Sequence, residues 1–263
     1  MTAIYNSIGK AYDTTRSADP RVLKALLKHL ACSKDQSVLD VGCGSGNYTI
    51  AIHDQGFNIQ GLDVSEEMLS HARKKAPKIE WNVSDAHTLP FPKAVLNRVV
   101  SVLATHHMKN LDQVLGEIFR ILKPGGRFVL FTSSPEQMQT WWLNHYVPGV
   151  VELTASSMLS FGQLALKLGR IGFKNVAREA YWVDKDTRDG FIQGGQWRPE
   201  QFLDPMVRAG ISSFALYSDQ EALARGLEKL KADIDSGEIE KVIGRHMAAY
   251  RKSGDYQFIW ADR

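Results

Sequence analysis

The residues best placed for chemistry sit in "SVLDVGCGSGNYTIAI", residues 37–52, where an apolar run ends in Asp40 and Gly42, Gly44 and Gly46 follow two apart. Glycine lets the main chain approach a ligand where any Cβ would collide. The start of a following helix offers N–H groups with no partner of their own. A strand, glycine loop and helix in succession therefore form a candidate nucleotide site. A dinucleotide fingerprint is spaced G-x-G-x-x-G. Here the spacing is G-x-G-x-G, and Asn47 stands where the third dinucleotide glycine would be. That favours a ligand lying across the loop over a diphosphate docked end-on. Glycine also serves a plain strand-to-helix turn, so the loop alone decides nothing.

Two further carboxylates narrow the reading. Asp63 closes the apolar segment "GLDVS", the position from which an acid accepts hydrogen bonds from both ribose hydroxyls. Each such charge-assisted bond contributes ~1.5–3 kcal/mol. Its structural alternative is a helix cap, a role for which Ser65 is better placed. Asp85, in "VSDAHTLPF", offers an acceptor for the exocyclic amine of adenine, or simply a turn aspartate. His106 and His107, in "VLATHHMKN", are the candidate general bases; the alternative is a histidine that packs or caps the following helix.

Positioning these groups requires alternating strands and helices. "ADPRVLKALLKHLA" reads as a helix capped by Asp19 with Pro20 at its first position. "SVLDV", "NIQGLDV", "KIEWNVSD", "AVLNRVVSVLA" and "RFVLFTS" read as five strands. The helices between them are "NYTIAIHDQG", "SEEMLSHARKKA" and "LDQVLGEIFRILKPGG", the last ended by Pro124 and turned by Gly125 and Gly126. This alternation predicts a parallel sheet covered on both faces. Further on, "SFGQLALKLGRIGF" predicts a helix, "NVAREAYWVD" a sixth strand and "YQFIWAD" a last one. Within 184–253, "QEALARGLEKLKADI" is an amphipathic helix with Leu223, Leu227, Leu230 and Ile234 on one face.

Composition excludes several classes. The chain has 263 residues, 44% hydrophobic, with a net charge of +3 and no concentrated basic stripe, which disfavours nucleic acid as a partner. The two cysteines, Cys32 and Cys43, form no C-x-x-C pair, so neither a disulfide framework nor a metal site is expected. No apolar run reaches the ~18 residues of a membrane span, and "MTAIYNSIGKAYD" lacks the apolar core of a signal peptide. A cytoplasmic protein, monomer or homodimer, is expected.

Asp40-x-Gly42-x-Gly44-x-Gly46, then Asp63, then "SDAHTLPF", then "RILKPGGRFVL", together resemble the class I S-adenosylmethionine-dependent methyltransferases. The small-molecule group that includes the ubiquinone and menaquinone biosynthesis enzymes is the most similar, over residues ~5 to ~133. The resemblance implies a Rossmann-like, mostly parallel α/β sheet of seven strands with the last antiparallel, which "GDYQFIWADR" fits. It implies a single domain over 1–263: a core of 17–134, 160–183 and 254–263, with cap or lid segments 1–16, 135–159 and 184–253. It implies S-adenosylmethionine as cofactor, S-adenosylhomocysteine as product and a small-molecule acceptor. Asp40 and the backbone of Gly42, Cys43, Gly44 and Gly46 would hold the methionine part, Asp63 the ribose, Val64 and Met68 the adenine faces, and Asp85 and Ala86 its edge. Tyr12 and Arg16, in "YDTTR", would face the methionine carboxylate, for which the arginine fork is suited.

Methyl transfer from a sulfonium is an in-line displacement. Orientation alone lowers such a barrier by ~7–11 kcal/mol, and His106 or His107 would assist an acceptor that must lose a proton. Acceptor choice is expected where the resemblance stops. Trp141, Trp142, Trp182 and Trp197, with Tyr146, Tyr181 and Phe191, could wall an apolar pocket or fill a core, and Arg198 and Arg208 could recognise an acidic substrate. The alternatives are an enzyme acting on RNA or protein, a cofactor-binding protein without turnover, and a nicotinamide dehydrogenase disfavoured by Asn47.

Overall fold

A computed structural model describes residues 15–263. Helix α1 (Pro20–Leu30) begins where Asp19 accepts hydrogen bonds from the N–H groups of Arg21 and Val22, at 2.8 and 3.2 Å. Val22, Leu26 and Leu30 recur on one face and are fully buried, each contributing about 1.5–3 kcal/mol. The chain then alternates: β1 (Ser37–Val41), α2 (Asn47–Asp54), β2 (Asn58–Asp63), α3 (Glu66–Lys75), β3 (Trp81–Val83), β4 (Leu96–Val102), α4 (Leu111–Ile121) and β5 (Leu122–Thr132). Next come α5 (Pro135–Gln139), α6 (Pro148–Ser156), α7 (Phe161–Ile171) and β6 (Lys174–Tyr181). Four helices, α8 (Pro205–Ala209), α9 (Ser212–Leu216), α10 (Gln220–Ser236) and α11 (Ile239–Ser253), precede the last strand, β7 (Tyr256–Asp262).

The seven strands form one sheet in the order β3-β2-β1-β4-β5-β7-β6. β1 to β5 run parallel, and β7 is antiparallel to both its neighbours. The expected α/β fold is therefore present, final strand included. From β1 the chain proceeds outward to β2 and β3, then returns to place β4 on the other side of β1. That reversal opens a crevice at the carboxyl ends of β1 and β4, where sheets of this kind take ligands.

Two strands differ most from expectation. β3 keeps only Trp81–Val83. β5 begins at Leu122, so "KPGG" lies inside the strand rather than before it. The irregularity falls between Leu96 and Arg98 in the pairing with β4, and Gly125 sits at φ +75° with its N–H donating to Arg263 O at 2.9 Å.

One apolar layer, around Val114, Ile118 and Leu168, covers one face of the sheet; another, around Leu26, Ile52 and Phe191, covers the other. A third core lies in the segments outside the sheet: Trp141, Trp142, Tyr146, Phe202, Phe214 and Leu230 pack together. Gln137 fastens this cap to the sheet, its Nε2 donating to Ser253 O and Tyr256 O at 2.9 Å each. No helix among the described residues is long and apolar enough to cross a membrane.

Candidate active site

The glycine loop joins β1 to α2 with Gly42, Gly44 and Gly46 all at positive φ, +75°, +56° and +79°. Any other residue would be strained in that backbone. Gly46 is also a packing requirement, since a Cβ there would collide with the Trp81 ring. It does not line the cavity above the loop, which corrects the expectation that all three glycines admit a ligand. Gly42, Cys43 and Gly44 do line it.

The cavity measures about 320 Å³ and runs over the loop toward the ends of β2 and β4. Asp40, Asp63, Val64, Met68, Asp85 and Ala86 all border it, as does Arg16. Tyr12 lies outside the described residues. Cys43 is a thiol that burial pushes well above its usual range, a small apolar filler rather than a nucleophile.

Asp40 is 2% exposed. Its Oδ2 accepts from Thr49 Oγ1 at 2.7 Å, while Oδ1 is sealed from solvent with no partner. Burial pushes the carboxyl up to about 7, against the Thr49 hydrogen bond and with help from the charge of Asp63. A buried, half-satisfied acid of this kind is incomplete until a cation or donor reaches it.

Asp63 binds main chain on both sides: Oδ2 accepts from Gly44 N at 2.8 Å and Oδ1 from Ser65 N at 2.9 Å. It thus ties the glycine loop to the tip of β2. Ser65 caps α3 by accepting from Met68 N at 3.3 Å, which leaves Asp63 with no capping duty. Burial raises the Asp63 carboxyl, opposed by these backbone N–H groups. Each carboxylate oxygen keeps the capacity for a second hydrogen bond, and Asp63 borders the cavity.

Asp85 is held differently. Its Oδ1 accepts from His87 N at 2.9 Å and also pairs with His87 Nδ1, while His87 Nε2 meets Lys109 O. The Lys109 carbonyl and then the Asp85 carboxylate raise the His87 imidazole above its usual range. His87 therefore pins the loop after β3 to the loop after β4, a role that sequence reading missed.

His106 and His107 form a one-turn segment, Thr105–His107, beyond β4, with ring centroids 3.9 Å apart. Burial lowers both imidazoles, His107 to about 4 and His106 well below its usual range; the Arg16 charge adds to this. Both are therefore neutral at physiological pH. His107 borders the large cavity, and both border a second, of about 60 Å³. His106 Nδ1 is sealed from solvent and has no partner.

Arg16, Leu103 and His107 are common to the two cavities. The cap completes the second with Thr154, Met158, Phe191, Ile192, Ile211 and Ser213, and β7 adds Tyr256. Of the aromatic residues singled out in the sequence, only Phe191 reaches it. Trp141, Trp142 and Tyr146 fill the cap core, Tyr181 packs under the sheet, and Trp182 and Trp197 are each 40% exposed. Arg198 and Arg208 also border neither cavity; they donate to Thr187 O and Phe202 O, at 2.8 and 2.6 Å. Each thus spends one guanidinium donor on the cap backbone, and neither lies at the junction of the two cavities. Asp189 and Tyr48, neither foreseen, border the large cavity. Among the described residues no cluster of His, Cys, Asp or Glu could hold a metal ion.

Residues 39–130 match the family described as "Methyltransferase domain" (Methyltransf_11). Over nearly the whole chain the fold is shared with a solved protein from Anabaena variabilis ATCC 29413, described as a methyltransferase from an antibiotic biosynthesis pathway. The two are 32% identical, with a TM-score of 0.84, over 94% of this chain and 98% of that one. The chain belongs to the class I S-adenosylmethionine-dependent methyltransferases. Its cofactor is S-adenosylmethionine. A demethylmenaquinone methyltransferase of Lysinibacillus sphaericus (strain C3-41) is 33% identical over 169 residues, 62% of this methyltransferase and 67% of the relative. A malonyl-[acyl-carrier protein] O-methyltransferase of Enterobacter lignolyticus (strain SCF1) is 30% identical over 145 residues, 54% and 58% of the two chains.

Proposed function

We propose that this methyltransferase binds S-adenosylmethionine in the large cavity and methylates a small-molecule acceptor held in the second. The observation that carries the reading is the junction of the two cavities at Arg16, Leu103 and His107, which brings two ligands end to end. The residues fit the cofactor chemically. Asp40 Oδ1, buried without a partner, suits the ammonium of the methionine portion. Asp63 faces the cavity at the tip of β2, where the free lone pairs of its oxygens suit the ribose hydroxyls. Val64 and Met68, which border the cavity, would flank the adenine, with Asp85 and Ala86 at its edge, and Arg16 would take the methionine carboxylate.

When bound, the cofactor supplies a methyl group already activated on a sulfonium. The protein's part is to align acceptor and methyl and to exclude water. Apolar Leu103, Met158, Phe191, Ile192 and Ile211 dry the acceptor cavity. For an acceptor that must lose a proton, His106 and His107, both bordering the second cavity, are the groups that would receive it.

The segments 135–159 and 184–253 act as the acceptor cap on the core formed by 17–134, 160–183 and 254–263. Relatives named for acceptors as different as demethylmenaquinone and malonyl-[acyl-carrier protein] support an acceptor choice made outside the shared residues 39–130. The test is incubation with methyl-labelled S-adenosylmethionine and a fractionated extract. Label entering a metabolite fraction is the expected result; label confined to RNA or protein contradicts the small-molecule acceptor.

A further inference from the structure

Asp189 belongs to the cap segment, yet its side chain is 1% exposed and borders the cofactor cavity. Its Oδ1 accepts from Arg16 Nε at 2.5 Å, and its Oδ2 accepts from Tyr48 OH at 3.0 Å and Arg16 Nη2 at 3.4 Å. The carboxylate thus grips the Nε–Nη2 edge of the guanidinium, which fixes the plane of the fork. Arg16 needs this fixing. It lies between Thr15 and α1 on a stretch without regular secondary structure, and an arginine side chain there has many rotamers to lose.

The main chain around the pair is laced the same way. Gly190 N donates to Thr15 O at 2.9 Å, Arg188 N to Asp19 Oδ2 at 3.0 Å, and Asn47 Nδ2 to Arg16 O at 3.2 Å. A Cβ on Gly190 would collide with Thr15 O, so the cap loop approaches the N-terminal segment as closely as a backbone can.

We propose that Asp189 is a positioning residue for the cofactor. It holds Arg16 at the junction of the two cavities, so that the cap, besides enclosing the acceptor, sets the amino-acid end of the cofactor site. The inference rests on the assignment of Arg16 to the methionine carboxylate. It separates the two ends of the ligand: loosening Asp189 weakens compounds that carry the amino-acid portion and spares those that lack it.

The test is calorimetric titration of the full chain with S-adenosylhomocysteine and with 5′-methylthioadenosine, which lacks the carboxylate and ammonium. Asp189→Asn is expected to weaken S-adenosylhomocysteine at least tenfold and 5′-methylthioadenosine less than twofold. Arg16→Ala should give the same pattern, and the double variant should be no worse than Arg16→Ala alone. Tyr48→Phe removes one hydrogen bond from Asp189 and should give a smaller, equally selective loss. That variant decides the matter if Asp189→Asn does not fold. Equal losses for both compounds, or unchanged S-adenosylhomocysteine affinity in Asp189→Asn or Tyr48→Phe, would overturn the proposal. Unchanged affinity in Arg16→Ala would overturn the arginine assignment beneath it, and wild-type protein that binds neither compound would overturn the site itself.

Discussion

Asp40 is buried and Asp63 half-buried, with opposite states of completion, and they predict different behaviour. Asp63 already accepts two backbone hydrogen bonds, so Asp63→Ala removes a loop tether as well as the proposed ribose partner. S-adenosylhomocysteine affinity should fall at least tenfold, or ~1.4 kcal/mol, by calorimetry, and the melting temperature of the free protein should fall with it. Asp40 lacks a partner at Oδ1, and its carboxyl is raised from the ordinary 3.8 to about 7. The folded state therefore binds more protons than the unfolded one across that window, and this group's contribution to stability falls as pH rises through it. An arriving ammonium needs the ionised form, so binding expels a proton below about pH 7. Affinity for S-adenosylhomocysteine should rise roughly tenfold or more between pH 5.5 and 8. Asp40→Asn should flatten that profile and weaken binding, yet leave the free protein at least as stable at pH 8. A flat wild-type profile would contradict the assignment.

At the scale of elements, the β1–loop–α2 unit was readable because each part leaves a local mark: an apolar run, positive-φ glycines, and a helix after them. Asp19 and Ser65 were likewise readable as caps from the residues around them. What could not be read is what depends on distant contacts. Gly46 is glycine partly because Trp81, on a strand two removed, fills the space its Cβ would take. Gly46→Ala should therefore cost stability, about 1–3 kcal/mol from the backbone alone, with more from the Trp81 collision, in urea unfolding. A loss under 0.5 kcal/mol would show that the loop does not depend on this glycine. The short β3 and the early start of β5 were missed because pairing, rather than propensity, sets strand ends. Asp189, in "DTRDG", carries no spacing signal linking it to the glycine loop; only the fold brings the two together.

For the molecule as a whole, the sheet supplies one cavity and the cap completes the other. The tryptophans mark the segments that form the cap. Trp141 and Trp142 fill the cap core, one of the two roles open to them in the sequence, Trp182 and Trp197 are half-exposed, and Met158, Ile192 and Ile211 supply apolar lining from the cap. Periodicity marks a face as apolar without saying whether it turns to a ligand or to another helix. Filling the second cavity should separate the two functions: Ile211→Trp is expected to lower methyl transfer more than tenfold while S-adenosylhomocysteine affinity stays within twofold. Parallel loss of both would mean that the cavity is not a separate acceptor site. The most direct test of the whole account is a crystal structure of the protein with S-adenosylhomocysteine. The nucleoside is expected across the glycine loop, with both ribose hydroxyls within hydrogen-bond distance of Asp63 and the amino-acid end between Asp40 and Arg16. A ligand bound the other way round, or a cavity left empty at saturating concentration, would contradict it.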